Sequence, residues 1–156
     1  MSACPPEDDG YQLVGIYSKN RYEWVVTEQA CNAYKLISVP LYDTLGPDAI
    51  AFILGQTRMH SVCCSASETD NLIQTKEENP ETTEKFEHIF QYEDVTEEQR
   101  SRATNAGLTL RSFAELMEVG EQNPQDHRPP APADLATIVY TSGTTGNPKG
   151  VSLLCL

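Results

Sequence analysis

The residues most able to do chemistry lie together in one string of eleven, Tyr140-Thr141-Ser142-Gly143-Thr144-Thr145-Gly146-Asn147-Pro148-Lys149-Gly150. Its glycines lack a Cβ, so the backbone can approach a ligand closely and adopt positive φ. The hydroxyls of Thr141, Ser142, Thr144 and Thr145, with successive backbone N–H groups, can form a concave nest for phosphate oxygens. Lys149 adds a point charge suited to a polyphosphate. The string is not a Walker A loop, because Pro148 precedes the lysine and Gly150 follows it where Ser or Thr is required. A shorter piece such as Ser142–Gly146 would read as a hairpin turn. The whole string points to phosphate binding.

The elements that must position this loop are legible upstream. Leu13–Tyr17 is a short run of strand formers. Asn20 and Glu23 have capping-box spacing and predict a helix start. Trp24, Val25, Ala30, Ala33 and Tyr34 recur as an apolar face, with Glu28, Gln29, Asn32 and Lys35 opposite. Leu36–Leu41 reads as a second strand with Pro40 near its end. Strand, helix and strand in about thirty residues form a βαβ unit, so the strands should be parallel. Pro47 predicts the first position of a further helix over Ala49–Leu54, with Gly55 as its stop. His60–Cys64 is a third strand. Phe86–Phe90 predicts another, and Ser112 with Glu115 opens a helix through Val119. Ala136–Tyr140 is the strand that delivers the loop, followed by no further element. The fold class expected is α/β, with βαβ units and a parallel sheet.

Composition narrows the class of protein. At 156 residues, with 39% apolar and 22% charged, the chain suits one soluble domain. A chain of this length can bury roughly 70% of its unfolded surface. Collagenous, coiled-coil and wholly disordered classes are excluded. No apolar stretch approaches the ~18 residues of a membrane span. Met1–Asp9 carries neither the basic nor the apolar region of a secretory signal. A formal net charge of −12 argues against nucleic acid and anionic lipid as partners. Residues 68–98 hold a net −9 and read as a solvated, variable surface segment. The Pro-rich stretch 123–133 reads as a linker, and residues 1–10 as a tail. The five cysteines (Cys4, Cys31, Cys63, Cys64 and Cys155) include no CxxC pair and are expected as free thiols. Cys63 and Cys64 should point to opposite faces of a strand. The three histidines make no metal-binding spacing, so no metal ligand is expected.

Residues 140–150 resemble the phosphate loop of the adenylate-forming enzymes, which include acyl-CoA synthetases, peptide-synthetase adenylation domains and luciferases. Gly15-Ile16-Tyr17-Ser18-Lys19-Asn20-Arg21-Tyr22-Glu23-Trp24 and Val39-Pro40-Leu41-Tyr42-Asp43-Thr44-Leu45-Gly46 resemble segments of the long-chain acyl-CoA synthetase branch. The resemblance runs from about Tyr11 to Val151 and implies that residues 11–156 are an incomplete part of the large N-terminal AMP-binding domain. It implies ATP, Mg2+ and coenzyme A as cofactors and co-substrates, and a fatty acid as the molecule activated. Thr141, Ser142, Gly143, Thr144, Thr145, Gly146 and Lys149 would hold the β- and γ-phosphates. No catalytic residue is mapped beyond that loop. Trp24 and Tyr42 read as core and scaffold. The family's location implies the cytoplasmic side, with endoplasmic reticulum, peroxisome or another membrane for the full-length protein.

The resemblance stops at the tail. After Lys-Gly-Val the family continues with Thr or Ser, a His and a helix, whereas Ser152-Leu153-Leu154-Cys155-Leu156 follows here. The family's base, ribose and Mg-binding residues, its acyl tunnel and its mobile C-terminal domain map to nothing in the chain. The 156 residues alone are therefore expected to be inactive. Two alternatives stand beside the long-chain ligase. One is an adenylate-former for another carboxylate. The other is a non-catalytic binding module that recruits a partner through its acidic segment and a sheet edge.

Overall fold

The computed structural model describes residues 11–141 and 147–155. Its strands are β1 (Leu13–Tyr17), β2 (Ile37–Leu41), β3 (Ser61–Cys64), β4 (His88–Gln91), β5 (Thr109–Ser112), β6 (Leu135–Thr141) and β7 (Lys149–Leu154). The helices are α1 (Tyr22–Ala33), α2 (Pro47–Thr57), α3 (Ala66–Glu78), α4 (Glu97–Asn105) and α5 (Phe113–Gln122). The strands form one sheet in the order β5-β4-β3-β1-β2-β6-β7. All neighbours are parallel except β6 and β7. The expected parallel α/β architecture is the one observed.

Chain order dictates the layers. β2 lies on one side of β1, and β3, β4 and β5 step away on the other. Right-handed crossovers then put α1 on one face of the sheet and α2, α3 and α4 on the opposite face. The larger core is on the α2–α4 face, where Tyr17, Val39, Val62, Cys64 and Ile89 meet Ile50, Ile53, Leu72, Ile73 and Ala103. Ile50, Ile53 and Leu54 of α2 are essentially fully buried, each stabilising the fold by roughly 1.5–3 kcal/mol. The other face holds a smaller cluster of Cys63, Tyr92 and Phe113, with Val14, Phe90 and Leu116 against it. Cys63 and Cys64 therefore belong to opposite faces, as strand alternation requires. The thiols of Cys31, Cys63, Cys64 and Cys155 are free.

Several local expectations are corrected. α1 begins at Tyr22 with Arg21 as N-cap and no side-chain capping bond, so Asn20 and Glu23 form no capping box. The Glu23 carboxylate instead accepts from Arg21 Nε at 2.6 Å and Nη2 at 2.8 Å. That pairing lets Glu23 turn inward, and the buried stripe of α1 is Glu23, Thr27 and Cys31. Val25 is 53% exposed, and Ala30 faces solvent too. Gly55 does not stop α2, which continues to Thr57 and ends on Arg58 in the left-handed region at φ 50°. Gly55 is a close-approach position instead, because a Cβ there would lie 2.5 Å from Thr82 Cγ2. Tyr42 is 49% exposed and is not core.

The acidic stretch is more ordered than its composition suggests. It contains α3, β4 and the start of α4, and α3 buries Thr69, Leu72, Ile73 and Thr75. Lys76 Nζ donates to the carbonyls of Thr83 at 2.6 Å and Phe86 at 3.0 Å, tying the turn after α3 to its last turn. Residues 123–134 have no regular structure, yet Arg128 N donates to Ala33 O at 2.8 Å and His127 meets the Tyr34 ring edge-on. The tail after the loop is the strand β7, where no element was expected.

Candidate functional site

The candidate loop is the connection of an antiparallel hairpin at the carboxyl edge of a parallel sheet. β6 runs parallel to β2, with Ser38 opposite Thr137, and Thr137 Oγ1 donates to Ser38 O at 2.9 Å. The chain leaves β6 at Thr141 and returns along β7 from Lys149. Ligands of open α/β sheets bind outside the carboxyl ends of the strands, so this is the edge where a phosphate loop belongs.

Of the predicted site residues, Thr141 and Lys149 are described, and the structure brings them together. They are register partners across the hairpin, both exposed, and Thr141 Oγ1 donates to the Lys149 carbonyl at 3.4 Å. Ser142, Gly143, Thr144, Thr145 and Gly146 lie outside the described residues. Behind this mouth the hairpin is clamped. Gly150 pairs with Tyr140, and a Cβ on Gly150 would come within 3.1 Å of the Tyr140 ring and 3.2 Å of Ile138 Cγ2. The Tyr140 ring thus covers the backbone at Gly150. Its hydroxyl donates to Gln56 Oε1 on α2 at 2.6 Å.

The far end of the hairpin is also fixed. Asp134 accepts from Ala131 N at 2.6 Å and pairs with Lys35 at 3.0 Å. The Lys35 ammonium, with that N–H, holds the Asp134 carboxyl below the ordinary aspartate range. Cys155 N donates to Asp134 O at 2.8 Å. Gln56 supports the loop end of the hairpin and Lys35 its far end, both from positions that local sequence pattern does not mark. Only the aromatic–glycine pair around the string, Tyr140 and Gly150, hints at such packing.

A second polar cluster lies at the same edge. Arg21 binds Glu23, donates to Ser65 Oγ at 3.1 Å, and pairs with Glu93. Its guanidinium also lies 5.0 Å from the centre of the Tyr92 ring. The Glu23 and Glu93 carboxyls are held below their ordinary range, Glu23 mainly by Arg21 and Glu93 by Arg21 against the opposing pull of burial. One guanidinium between two carboxylates leaves this cluster at −1, and it ties the start of α1 to the ends of β3 and β4. Among the described residues no group of three or more His, Cys, Asp or Glu side chains is placed to hold a metal ion. No helix among them is long and apolar enough to cross a membrane.

The profile of the AMP-binding enzyme family matches residues 9–154. The chain is 41% identical over 140 residues to the peroxisomal long chain acyl-CoA synthetase 6 of Arabidopsis thaliana, covering 90% of this chain and 19% of that protein. It is 36% identical over 142 residues to human long-chain-fatty-acid–CoA ligase 6, covering 91% and 20%. Among solved structures, the A domain of a carboxylic acid reductase from Segniliparus rugosus superposes with a TM-score of 0.74 at 21% identity, over 92% of this chain and 24% of that one. A long-chain-fatty-acid-CoA ligase from Archaeoglobus fulgidus superposes at 0.70 and 23% identity, over 93% and 26%. The fold is therefore that of the N-terminal domain of adenylate-forming enzymes. The chain belongs to the AMP-binding enzyme family. It spans about a fifth of the length of the curated relatives it matches.

Proposed function

We propose that this chain is a segment of a ligase that activates a long-chain fatty acid with ATP and passes the acyl group to coenzyme A. The observation that carries this reading is the 36–41% identity to long-chain acyl-CoA synthetases along nine-tenths of the chain. In the first step a carboxylate oxygen bonds to the α-phosphorus of ATP. The bond to the bridging oxygen breaks, and pyrophosphate leaves. In the second step the thiol sulfur of coenzyme A bonds to the acyl carbon, its proton is lost, and AMP leaves.

The role assigned here to Thr141, Ser142, Gly143, Thr144, Thr145, Gly146 and Lys149 is to hold the β- and γ-phosphates. Donors at that place stabilise the charge that grows on the departing pyrophosphate, and losing one such donor costs roughly 10²–10³ in rate. The loop positions and neutralises and forms no covalent bond. Mg2+ would travel with the triphosphate.

The reading also assigns activity to the longer polypeptide and none to these 156 residues by themselves. One phosphate loop without contacts to base, ribose and acyl chain gives too little surplus affinity to bind ATP usefully. The working location assigned is the cytoplasmic side of a membrane such as that of the endoplasmic reticulum or peroxisome. The test is product formation from palmitate, ATP and coenzyme A. The longer polypeptide should yield palmitoyl-CoA and AMP, and the isolated chain neither. Activity with an aryl or amino acid in place of palmitate would move the reading to another carboxylate.

A further inference from the structure

The hairpin that carries the candidate loop is joined to the rest of the sheet near its far end. Among the described residues, β2 and β6 share the register pair Ser38 and Thr137, whereas β6 and β7 stay paired up to Thr141 and Lys149. Beyond Thr137, the part of β6 nearest the loop takes its place in the molecule from side chains. Ile138 is fully buried and Tyr140 is 1% exposed, both in the larger core. The Tyr140 ring covers Gly150, and its hydroxyl donates to Gln56 Oε1 at 2.6 Å. Gly150 directly follows Lys149, so whatever orients the Tyr140 ring also orients the lysine end of the loop.

Gln56 is an exposed residue on a backbone that is held from several sides. On one side Gly55 lies so close to Thr82 that a Cβ would meet Thr82 Cγ2 at 2.5 Å. On the other, Thr57 is buried and its hydroxyl donates to Ile53 O at 2.7 Å. Arg58 N donates to Leu54 O at 2.9 Å and closes the helix. Water can also accept from a tyrosine hydroxyl, but it adds no fixed direction. An amide on a held turn does. The bond therefore ties the loop end of the hairpin to α2 at a defined place.

We propose that Gln56 is a positioning residue of the phosphate loop, acting through Tyr140 to set where Gly150 and Lys149 stand against the triphosphate. The proposal rests on the reading of this loop as the holder of the β- and γ-phosphates. Neither Gln56 nor Tyr140 touches the nucleotide in this role. The loop grips ATP before the first step as well as during it. Loosening the loop therefore raises the KM for ATP, while the transfer of the acyl group to coenzyme A is untouched.

The test is palmitate-dependent exchange of labelled pyrophosphate into ATP by the full-length protein, with the Kd for ATP read separately by calorimetry. Gln56→Met keeps the length and helix propensity of the side chain and removes the acceptor. Gln56→Glu keeps an acceptor oxygen at the same reach. Gln56→Met should raise both the KM and the Kd for ATP about fivefold, the worth of one hydrogen bond, and leave the KM for palmitate unchanged. Gln56→Glu should restore the parental values. Tyr140→Phe should match Gln56→Met, and the double variant should be no worse than either. A merely structural role would lower kcat through fewer folded molecules and leave every KM in place. That pattern overturns the proposal. So does Gln56→Glu as impaired as Gln56→Met, or effects that multiply in the double variant. A parent that exchanges pyrophosphate while Gln56→Met keeps the parental KM for ATP refutes the positioning role and keeps the ligase. A parent that binds ATP more tightly than Gln56→Met yet shows no palmitate-dependent exchange does the reverse. A parent that neither binds ATP nor exchanges pyrophosphate overturns both.

Discussion

Tyr140 donates its hydroxyl to Gln56 Oε1 at 2.6 Å, joining the end of β6 to the last turn of α2 across 84 residues of sequence. The same ring lies over Gly150, so one side chain fixes both arms of the hairpin just behind the candidate loop. Tyr140→Phe keeps the ring and removes the bond, which should cost about 1 kcal/mol of stability. Urea denaturation of the full-length protein measures it. Gln56→Leu should cost a similar amount, and the double variant less than the sum, because both remove one bond.

Gly150→Leu should be worse than either. The added side chain has to displace the Tyr140 ring and Ile138, both essentially fully buried, and overpacking of that kind costs roughly 1–3 kcal/mol. If the hairpin carries the phosphate loop, the KM for ATP should rise in step with the loss of stability. Steady-state kinetics of the purified variant check both.

Arg21 and Glu23 set an acid limit on stability. The Glu23 side chain is 8% exposed and the Arg21 side chain 25%, so Arg21→Met strands a nearly buried carboxylate. Breaking a buried pair costs about 3–5 kcal/mol, and the water that reaches Arg21 puts this case at or below the lower end. The folded pKa values of Glu23 and Glu93 are depressed. Their stabilisation is thus complete above the unfolded carboxylate range and is lost as pH falls through the folded values. Thermal melts between pH 7 and pH 3 should show a steeper acid loss for the parent than for Arg21→Met.

Thiol reactivity reports on the two faces of the sheet. Burial pushes Cys31 up to about 11 and Cys63 up to about 12, and raises Cys64 further. Near pH 8 these three should resist a disulfide reagent until the chain unfolds, while the half-buried Cys155 reacts in the folded state. Because the folded pKa values are raised, their contribution is intact below the ordinary thiol pKa and fades as pH climbs above it. Ellman titration with and without denaturant separates the two classes.

Gly55 and Thr82 test the α2 packing. Gly55→Ala sets a methyl against Thr82 Cγ2 and within 3.1 Å of the Thr82 carbonyl, so α2 or the turn after α3 must shift. A loss of about 1–3 kcal/mol is expected, despite the better helix propensity of alanine. A rise in Tm would show that the turn yields freely.

The parts readable from sequence are those whose information is local. β1, β2 and β3 are short apolar runs bounded by turn residues. Ser112 and Glu115 do form a capping box at α5. The chemistry of residues 140–150 is legible because one string contains it all. What escaped depends on contacts distant in sequence. The buried stripe of α1 is written with Glu23, Thr27 and Cys31, which look polar or neutral until Arg21 and Tyr92 satisfy them. In α3 the buried Thr69 and Thr75 hide half of an apolar face, because their hydroxyls bond Gln91 and the Asn71 carbonyl. β7 exists because β6 is there to pair with it, and its exposed Val151, Leu153 and Leu154 carry no inward pattern of their own. Gln56 supports the candidate site from another element, where no motif marks it.

The most direct measurement is palmitate-dependent exchange of labelled pyrophosphate into ATP by the full-length protein and by its Lys149→Ala variant. It reads the first chemical step alone, before coenzyme A is involved. The account expects exchange that requires palmitate and falls by roughly 10²-fold or more in the variant, whose melting temperature stays close to that of the parent because Lys149 is exposed. Exchange unchanged in the variant would remove the phosphate-holding role of the loop, and no palmitate-dependent exchange in the parent would contradict the ligase itself.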